Sequence, residues 1–404
     1  MPEPYCINVP NLRFPEFSGE WEKVHLSRIV TRVTRKNKNN ESRLPLTISA
    51  QYGLVDQISF FNKVVASSDL SNYYLLHKGE FAYNKSYSGD YPWGAIKRLD
   101  RYDKGALSSL YICFTPTDII DSDFLVHYFE SPKWHREVSN IAGEGARNHG
   151  LLNIAVPDFF NTQHCIAVNK AEQRKIADFL NLINERIETQ KKVIEDLKKL
   201  KDAISKSLFS RYDLLEAKMQ ISQIGSLKNG YAFQSSSYDS SGEYEIITIA
   251  NVAGERHIYT EGCNRIHTLP SDLQPHQELK DGDILISLTG NVGRVSLCKE
   301  GKYLLNQRVG LLQLKAGVNR EFVYQALSSR KFELNMISCG QGAAQMNIGK
   351  GDVESYEIPY SNNPQNLQSV SLILKSYDKL VLTESTRLQL LLNQKQYIIS
   401  NMFI

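Results

Sequence analysis

The strongest constraint in this sequence is a heptad seam that occurs twice. Apolar residues recur alternately four and three apart at Ile176, Leu180, Ile183, Ile187, Ile194, Leu197, Ile204 and Leu208, with Gln190 and Lys201 as interruptions. A shift of 194 residues reproduces the seam at Val370, Leu374, Tyr377, Val381, Leu388, Leu391, Ile398 and Met402, and the interruptions fall on Glu384 and Lys395. Such spacing gathers apolar side chains on one narrow stripe of a helix, and a stripe of that kind needs a matching one to leave water. Two long helices are therefore predicted, each the other's partner. The first, from Lys170 to Leu208, would be about 58 Å long at 1.5 Å per residue. Lys191, Lys192, Lys198 and Lys199 fall on its outer face.

The repeat extends upstream with a drifting offset, as loop insertions require. Asn153 and Ile154 overlay Asn347 and Ile348 at 194, Phe124 overlays Phe322 at 198, Thr47 overlays Thr248 at 201, and Gly79 overlays Gly282 at 203. Strand-like runs separated by glycine turns precede a helix, a glycine-rich loop and a last strand in each copy. The expected fold is α+β: two mixed lobes in tandem, each followed by a long helix. The helices should pack as an antiparallel coiled coil about an approximate two-fold axis. Expected bounds are 1–165 and 211–360 for the lobes, and 166–210 and 361–404 for the helices. Shared framework with divergent loops, chiefly Val33 to Arg43, Tyr83 to Tyr102 and Ala253 to Gln277, implies one task performed on two targets.

Composition narrows the class of molecule. At 404 residues and 42% hydrophobic content the chain can bury more than one core. No run reaches the roughly 18 apolar residues of a membrane span, and Met1 to Pro10 lacks a leader pattern, so a cytoplasmic location is expected. The six cysteines lie apart, mostly in apolar stretches, and read as free buried thiols rather than metal ligands. Net charge is only +3, with acidic and basic side chains balanced in each lobe, so a nucleic-acid surface would have to be local.

Complete catalytic motifs are missing. Gly349-Lys350 resembles the end of a phosphate-binding loop, but Ala344 and Gly351 stand where glycine and Ser or Thr are needed. Asn363-Pro364-Gln365 and Pro359-Tyr360 supply only fragments of an amino-methyltransferase motif. Glu216 and Lys218 have nuclease-like spacing without a suitable upstream aspartate. A binding protein is favoured over an enzyme, and over a coiled-coil scaffold with no DNA role.

Sequence readout in DNA uses Arg or Lys for guanine and Asn or Gln for adenine, with further basic and amide groups on phosphate. The first lobe offers Arg32, Arg35, Lys36, Asn37, Lys38 and Arg43 in one stretch, then Lys85, Lys97, Arg98 and Arg101, then Arg147, Asn148 and His149. Candidates in the second are Arg256 and His257, Thr289, Asn291 and Arg294 at a glycine-flanked turn, Asn306, Gln307 and Arg308, and Gln341, Gln345 and Asn347.

These residues carry a resemblance. Leu12-Arg13-Phe14-Pro15-Glu16-Phe17 before Trp21, Gly290-Asn291-Val292-Gly293-Arg294-Val295, Asn306-Gln307-Arg308-Val309, Gly342-Ala343-Ala344-Gln345-Met346-Asn347-Ile348 and the helix from Gln173 to Leu208 are similar to type I restriction-modification DNA specificity subunits. The resemblance implies that each lobe is a target-recognition domain for one half of a split, asymmetric double-stranded DNA site, with the helices as spacer. It implies a non-catalytic chain that binds no cofactor itself. Two methyltransferase subunits would dock on it and methylate adenine N6 with S-adenosylmethionine, and restriction subunits would use ATP and Mg to translocate and cleave. One departure stands out: the Asn-Gln-Arg-Val element has no clear counterpart in the first lobe.

Overall fold

A computed structural model describes residues 8–63, 65–143, 150–340 and 346–404. Among the described residues the first lobe holds ten strands: β1 (Glu22–His25), β2 (Val30–Arg32), β3 (Pro45–Ser49), β4 (Gly53–Asp56), β5 (Tyr74–His77), β6 (Phe81–Asn84), β7 (Ala95–Arg98), β8 (Lys104–Leu107), β9 (Ile112–Pro116) and β10 (Gln163–Ile166). The second holds ten more: β11 (Ala217–Gln220), β12 (Gly225–Asn229), β13 (Tyr244–Ile247), β14 (Asn264–Ile266), β15 (Glu278–Leu279), β16 (Ile284–Ser287), β17 (Val295–Leu297), β18 (Tyr303–Leu305), β19 (Val309–Leu314) and β20 (Glu357–Tyr360).

Each lobe pairs its strands in the same order. Sheets β2-β9-β6-β7, β4-β3-β8-β5 and β1-β10 recur as β12-β19-β16-β17, β14-β13-β18-β15 and β11-β20. Among these strand pairs, β3 with β8 and β13 with β18 run parallel and the others antiparallel. The ladders carry the repeat offsets: Leu46 pairs Leu107 as Ile247 pairs Leu305, and Phe81 pairs Phe114 as Ile284 pairs Leu312.

Alternation along the central strands divides two cores within each lobe, because successive side chains leave opposite faces of a sheet. Phe81 and Tyr83 join the core beneath the long helices, while Ala82 joins the core between the sheets. In the second lobe Ile284 and Ile286 take the first role and Leu285 the second.

Helices α1 (Leu26–Ile29), α2 (Gln57–Phe61), α3 (Ser122–Glu130), α4 (His135–Ile141), α5 (Val156–Asn161) and α6 (Lys170–Phe209) accompany the first lobe. The second has α7 (Ile221–Ile224), α8 (Arg320–Leu327), α9 (Arg330–Cys339), α10 (Lys350–Glu354) and α11 (Pro364–Met402). Among the described helices only α2 lacks a counterpart. Asp121 caps α3 and Asn319 caps α8, each accepting from the backbone amide of the third helical residue, at the expected offset of 198.

Two compact units form, one of residues 1–189 with 388–404 and one of residues 190–387, so both long helices contribute to both. All sixteen apolar seam positions are buried or half-buried. In the first unit Ile176 and Leu180 share a core with Ile398, Met402, Phe403 and Trp21. In the second, Ile204 and Leu208 pack with Val370, Leu374 and Phe322. Gln190 meets Glu384 and Lys201 meets Asp378, so within that unit α6 and α11 run antiparallel.

The opening Leu-Arg-Phe-Pro segment secures the start of α6. The Arg13 guanidinium forks onto the buried Glu172 carboxylate at 2.7 and 2.8 Å, and Trp21 Nε1 donates to the same group at 3.2 Å.

Two expectations need adjustment. Backbone pairing of Leu152 with Lys85 and of Ile348 with Leu288 makes Leu152, not Ile154, the equivalent of Ile348, so two extra residues precede α5. Cys339 is exposed and Cys165 and Cys263 are half-buried, whereas Cys113 and Cys298 are buried as anticipated. Among the described residues no helix is long and apolar enough to cross a membrane, and no metal-ligating cluster occurs.

Candidate nucleic-acid interface

In the second lobe three segments meet at one end of the β12-β19-β16-β17 sheet: the β16–β17 turn, the β18–β19 turn and residues 346–348. Leu288 N donates to Arg308 O at 3.0 Å, Ile348 N to Leu288 O at 2.9 Å, and Gly290 N to Met346 O at 3.0 Å. Thr289 Oγ1 donates to Asn347 Oδ1 at 3.2 Å. Thr289, Asn291, Asn306, Gln307, Arg308 and Asn347 are thereby drawn together from three separate stretches of sequence. Asn291, Gln307, Arg308 and Asn347 are exposed. No side-chain partner of Arg308 occurs among the described residues.

The backbone beneath these side chains is firmly held. Ser287 Oγ accepts from Arg294 N at 3.0 Å and donates to Asn291 O at 2.5 Å. Gly290 and Gly293 have φ of +73° and +77°, and a Cβ on Gly293 would lie 2.7 Å from Met336 Cβ. Glycine is required there on both counts. Asn306 Oδ1 accepts from Arg308 N at 3.2 Å, closing the other turn. A rigid platform with projecting amides and a guanidinium can read base edges with little ordering cost.

The first lobe repeats the join between the β6–β7 turn and the segment at 150–152. Leu152 N donates to Lys85 O at 2.9 Å and Tyr87 N to Gly150 O at 3.0 Å. The apparently absent Asn-Gln-Arg element is the turn Ser108-Ser109-Leu110. Ser108 Oγ accepts from Leu110 N as Asn306 Oδ1 accepts from Arg308 N, and Tyr111 N donates to Ser108 O as Val309 N does to Asn306 O. Carrying the offset of 198 one element upstream of Phe124 finds it; residue identity alone does not. Lys85 lies at the join, half-buried, with its ammonium 3.5 Å from Ile154 O.

Several candidates have structural duties instead. Asn37 is fully buried, donates to Ser42 O at 2.9 Å and Leu70 O at 3.2 Å, and accepts from Ser42 N at 2.8 Å, so it braces a turn and reads no base. Arg35 pairs with Glu80 at 2.8 Å. Lys36 donates to Asn72 O and lies over the Tyr74 ring. Arg98 is held by Asp100 and Asp123. Arg294 leans toward Glu333 at 3.7 Å while remaining partly exposed. Arg32, Lys38, Arg43, Arg101 and His257 are exposed and stay open to phosphate. Arg147, Asn148, His149, Gln341 and Gln345 lie outside the described residues.

Arg256 is the largest reassignment. Its guanidinium bridges Glu321 and Asp378 at 2.6 and 2.8 Å and lies over the Tyr324 ring, while Lys201 reaches the other Asp378 oxygen at 2.5 Å. Burial opposes the Arg256 charge, but hydrogen bonds and fields from Glu321 and Asp378 outweigh it and hold the guanidinium above its ordinary range. A corresponding cluster in the first unit joins Lys395 to Glu130 at 2.9 Å, with His127 Nδ1 at 3.2 Å from the same acid. Burial pushes the Glu130 pKa upward, yet His127 and Lys395 bring it down to about 2. Burial depresses the Lys97 pKa, with Glu130 opposing, and the side chain is half-buried. The nuclease-like Glu216 is likewise occupied, accepting from Asn362 N at 2.8 Å.

Residues 216–393 match the family model of the type I restriction modification DNA specificity domain. The crystal structure of a type I restriction-modification S subunit from M. genitalium aligns over 98% of this chain and 99% of its own, at 17% identity and a TM-score of 0.55. A chain from a structure addressing complex assembly and conformational transition of a type I R-M system aligns over 96% and 98%, at 14% identity and a TM-score of 0.58. At these identities the likeness is one of fold, and it runs the full length of the chain. No curated protein sequence matches at a significant level.

Proposed function

We propose that this chain, which carries the type I restriction modification DNA specificity domain and resembles the S subunits of such systems in fold, is the non-catalytic subunit that reads the DNA target. Each lobe, taken as 1–165 and 211–360, binds one half of a bipartite, asymmetric duplex site. The helices of 166–210 and 361–404 set the unread gap. Two methyltransferase subunits dock on the chain and use S-adenosylmethionine to methylate adenine N6, and ATP- and Mg-dependent restriction subunits join them for cleavage. The assembly works in the cytoplasm, where it meets cellular DNA.

One observation carries this reading: a single ten-strand framework is built twice, and its equivalent turns present different side chains. A framework duplicated for stability alone has no need to diversify its exposed turns. Two linked weak readers gain affinity through effective concentration, and only sites of the right separation satisfy both.

Co-expression with the cognate methyltransferase and mapping of methylated adenines tests the proposal. A split motif with a constant gap is expected; a contiguous motif, or none, refutes it. Replacing residues 13–165 by those of a relative should alter one half of the motif. Unchanged methylation would favour a scaffold role instead.

A further inference from the structure

The two β-turns that precede β9 and β19 have the same backbone and different tips. In each, a short side chain at the first position accepts from the amide two residues on, Ser108 from Leu110 and Asn306 from Arg308. In each, the following amide returns to the carbonyl of that first residue, at 3.2 Å for Tyr111 and 2.9 Å for Val309. The tips are therefore aimed by equivalent scaffolds. Arg308 presents a guanidinium with no partner among the described residues. Leu110 is 71% exposed, an apolar side chain set out in water, where it adds nothing to either core of its lobe.

We infer that Leu110 and Arg308 are equivalent base-reading positions, Leu110 packing on the 5-methyl group of a thymine and Arg308 donating to a guanine edge. The assignment rests on the DNA-reading role proposed above. In the major groove only the thymine methyl offers an apolar contact, whereas guanine N7 and O6 form the paired acceptor that suits a guanidinium fork. The two turns thus have matched geometry and opposite chemistry, and the two lobes cannot share a half-site.

The full complex, co-expressed with its methyltransferase subunits, supplies the test. Leu110→Arg and Arg308→Leu should each change one base pair of the methylated motif, in opposite halves, with gap and remaining positions kept. The position altered by Leu110→Arg should be an A·T pair in the wild-type motif. Replacing its thymine by uracil should weaken binding of the wild-type complex about fourfold, the worth of one buried methyl group. The same replacement should leave Leu110→Ala unaffected, and thermal unfolding of that variant checks that the exposed turn is intact. A split wild-type motif that neither variant alters overturns the inference and leaves the reading role standing. So does a G·C pair at the Leu110 position, or indifference of the wild type to uracil. A wild-type complex with no split motif removes the reading role itself, and the inference with it.

Discussion

The Gln190 side-chain amide donates to the Glu384 carboxylate at 2.6 Å and to the Glu384 carbonyl at 3.0 Å, joining two residues that hold the same place in the repeat. Between apolar neighbours this pair acts as a register pin: sliding either helix by one turn would leave an amide and a carboxylate facing Ile, Leu or Val side chains. The pair sacrifices some apolar contact for a single alignment.

Gln190→Ala should therefore destabilise the chain by about 1–3 kcal/mol, because the half-buried Glu384 loses a hydrogen-bond donor. Chemical denaturation of the full chain reads this. Gln190→Leu with Glu384→Leu should recover stability while permitting slipped pairing, detectable by disulfide trapping of cysteines placed along α6 and α11. A double variant as weak as the single one would show that the pair does not govern register.

Arg256 and Asp378 give a prediction that separates stability from DNA contact. Asp378→Ala leaves Arg256 and Lys201 without their shared acid and should cost about 3–5 kcal/mol, as breaking buried ion pairs does. Arg256→Met should cost less and leave the methylated motif unchanged. A change of motif in Arg256→Met would return this residue to the DNA surface.

Asn37→Ala removes three hydrogen bonds inside a buried turn, and a loss of about 2 kcal/mol is expected at the level of one or two unsatisfied backbone groups. Arg32→Ala or Lys38→Ala, on exposed neighbours, should hardly move the unfolding midpoint. Salt dependence of DNA binding should respond in the opposite order, falling for the exposed cations and not for Asn37.

His164 supplies the pH dependence. It lies buried between Tyr128 Oη and Thr162 Oγ1, both at 2.8 Å, and burial lowers its pKa to about 4. A depressed folded-state value stabilises the native chain above the unfolded value near 6.5, and that contribution fades as pH falls from about 6.5 to about 4. The loss should be on the order of 3 kcal/mol across the window. His164→Gln should flatten the stability profile over this range, and an unchanged slope would assign the dependence to another group.

Local chemistry made much of this molecule legible in its sequence. The seam is a property of side-chain spacing, so both helices and their mutual need follow from position alone. Offsets of 194, 198, 201 and 203 survive in the ladders because each marks an element whose apolar pattern is fixed by the two faces of a sheet or one face of a helix. The glycine-flanked turn at 289–294 was readable for a similar reason, since positive φ and the approach of Met336 leave few alternatives to glycine.

Tertiary structure alone decided which polar residues are free to act. Asn37 and Arg256 have the chemistry of base readers, but their partners lie in distant segments, at Leu70 for one and at Glu321 and Asp378 for the other. Leu110 shows the converse: the offset of 198 sets it against Arg308, but nothing in its identity marks a surface position, and only the fold shows that it is exposed on an equivalent turn. Periodicity reports which face of an element is buried; it carries no information about which charge a folded chain will neutralise, because that depends on contacts closed between segments far apart in the sequence.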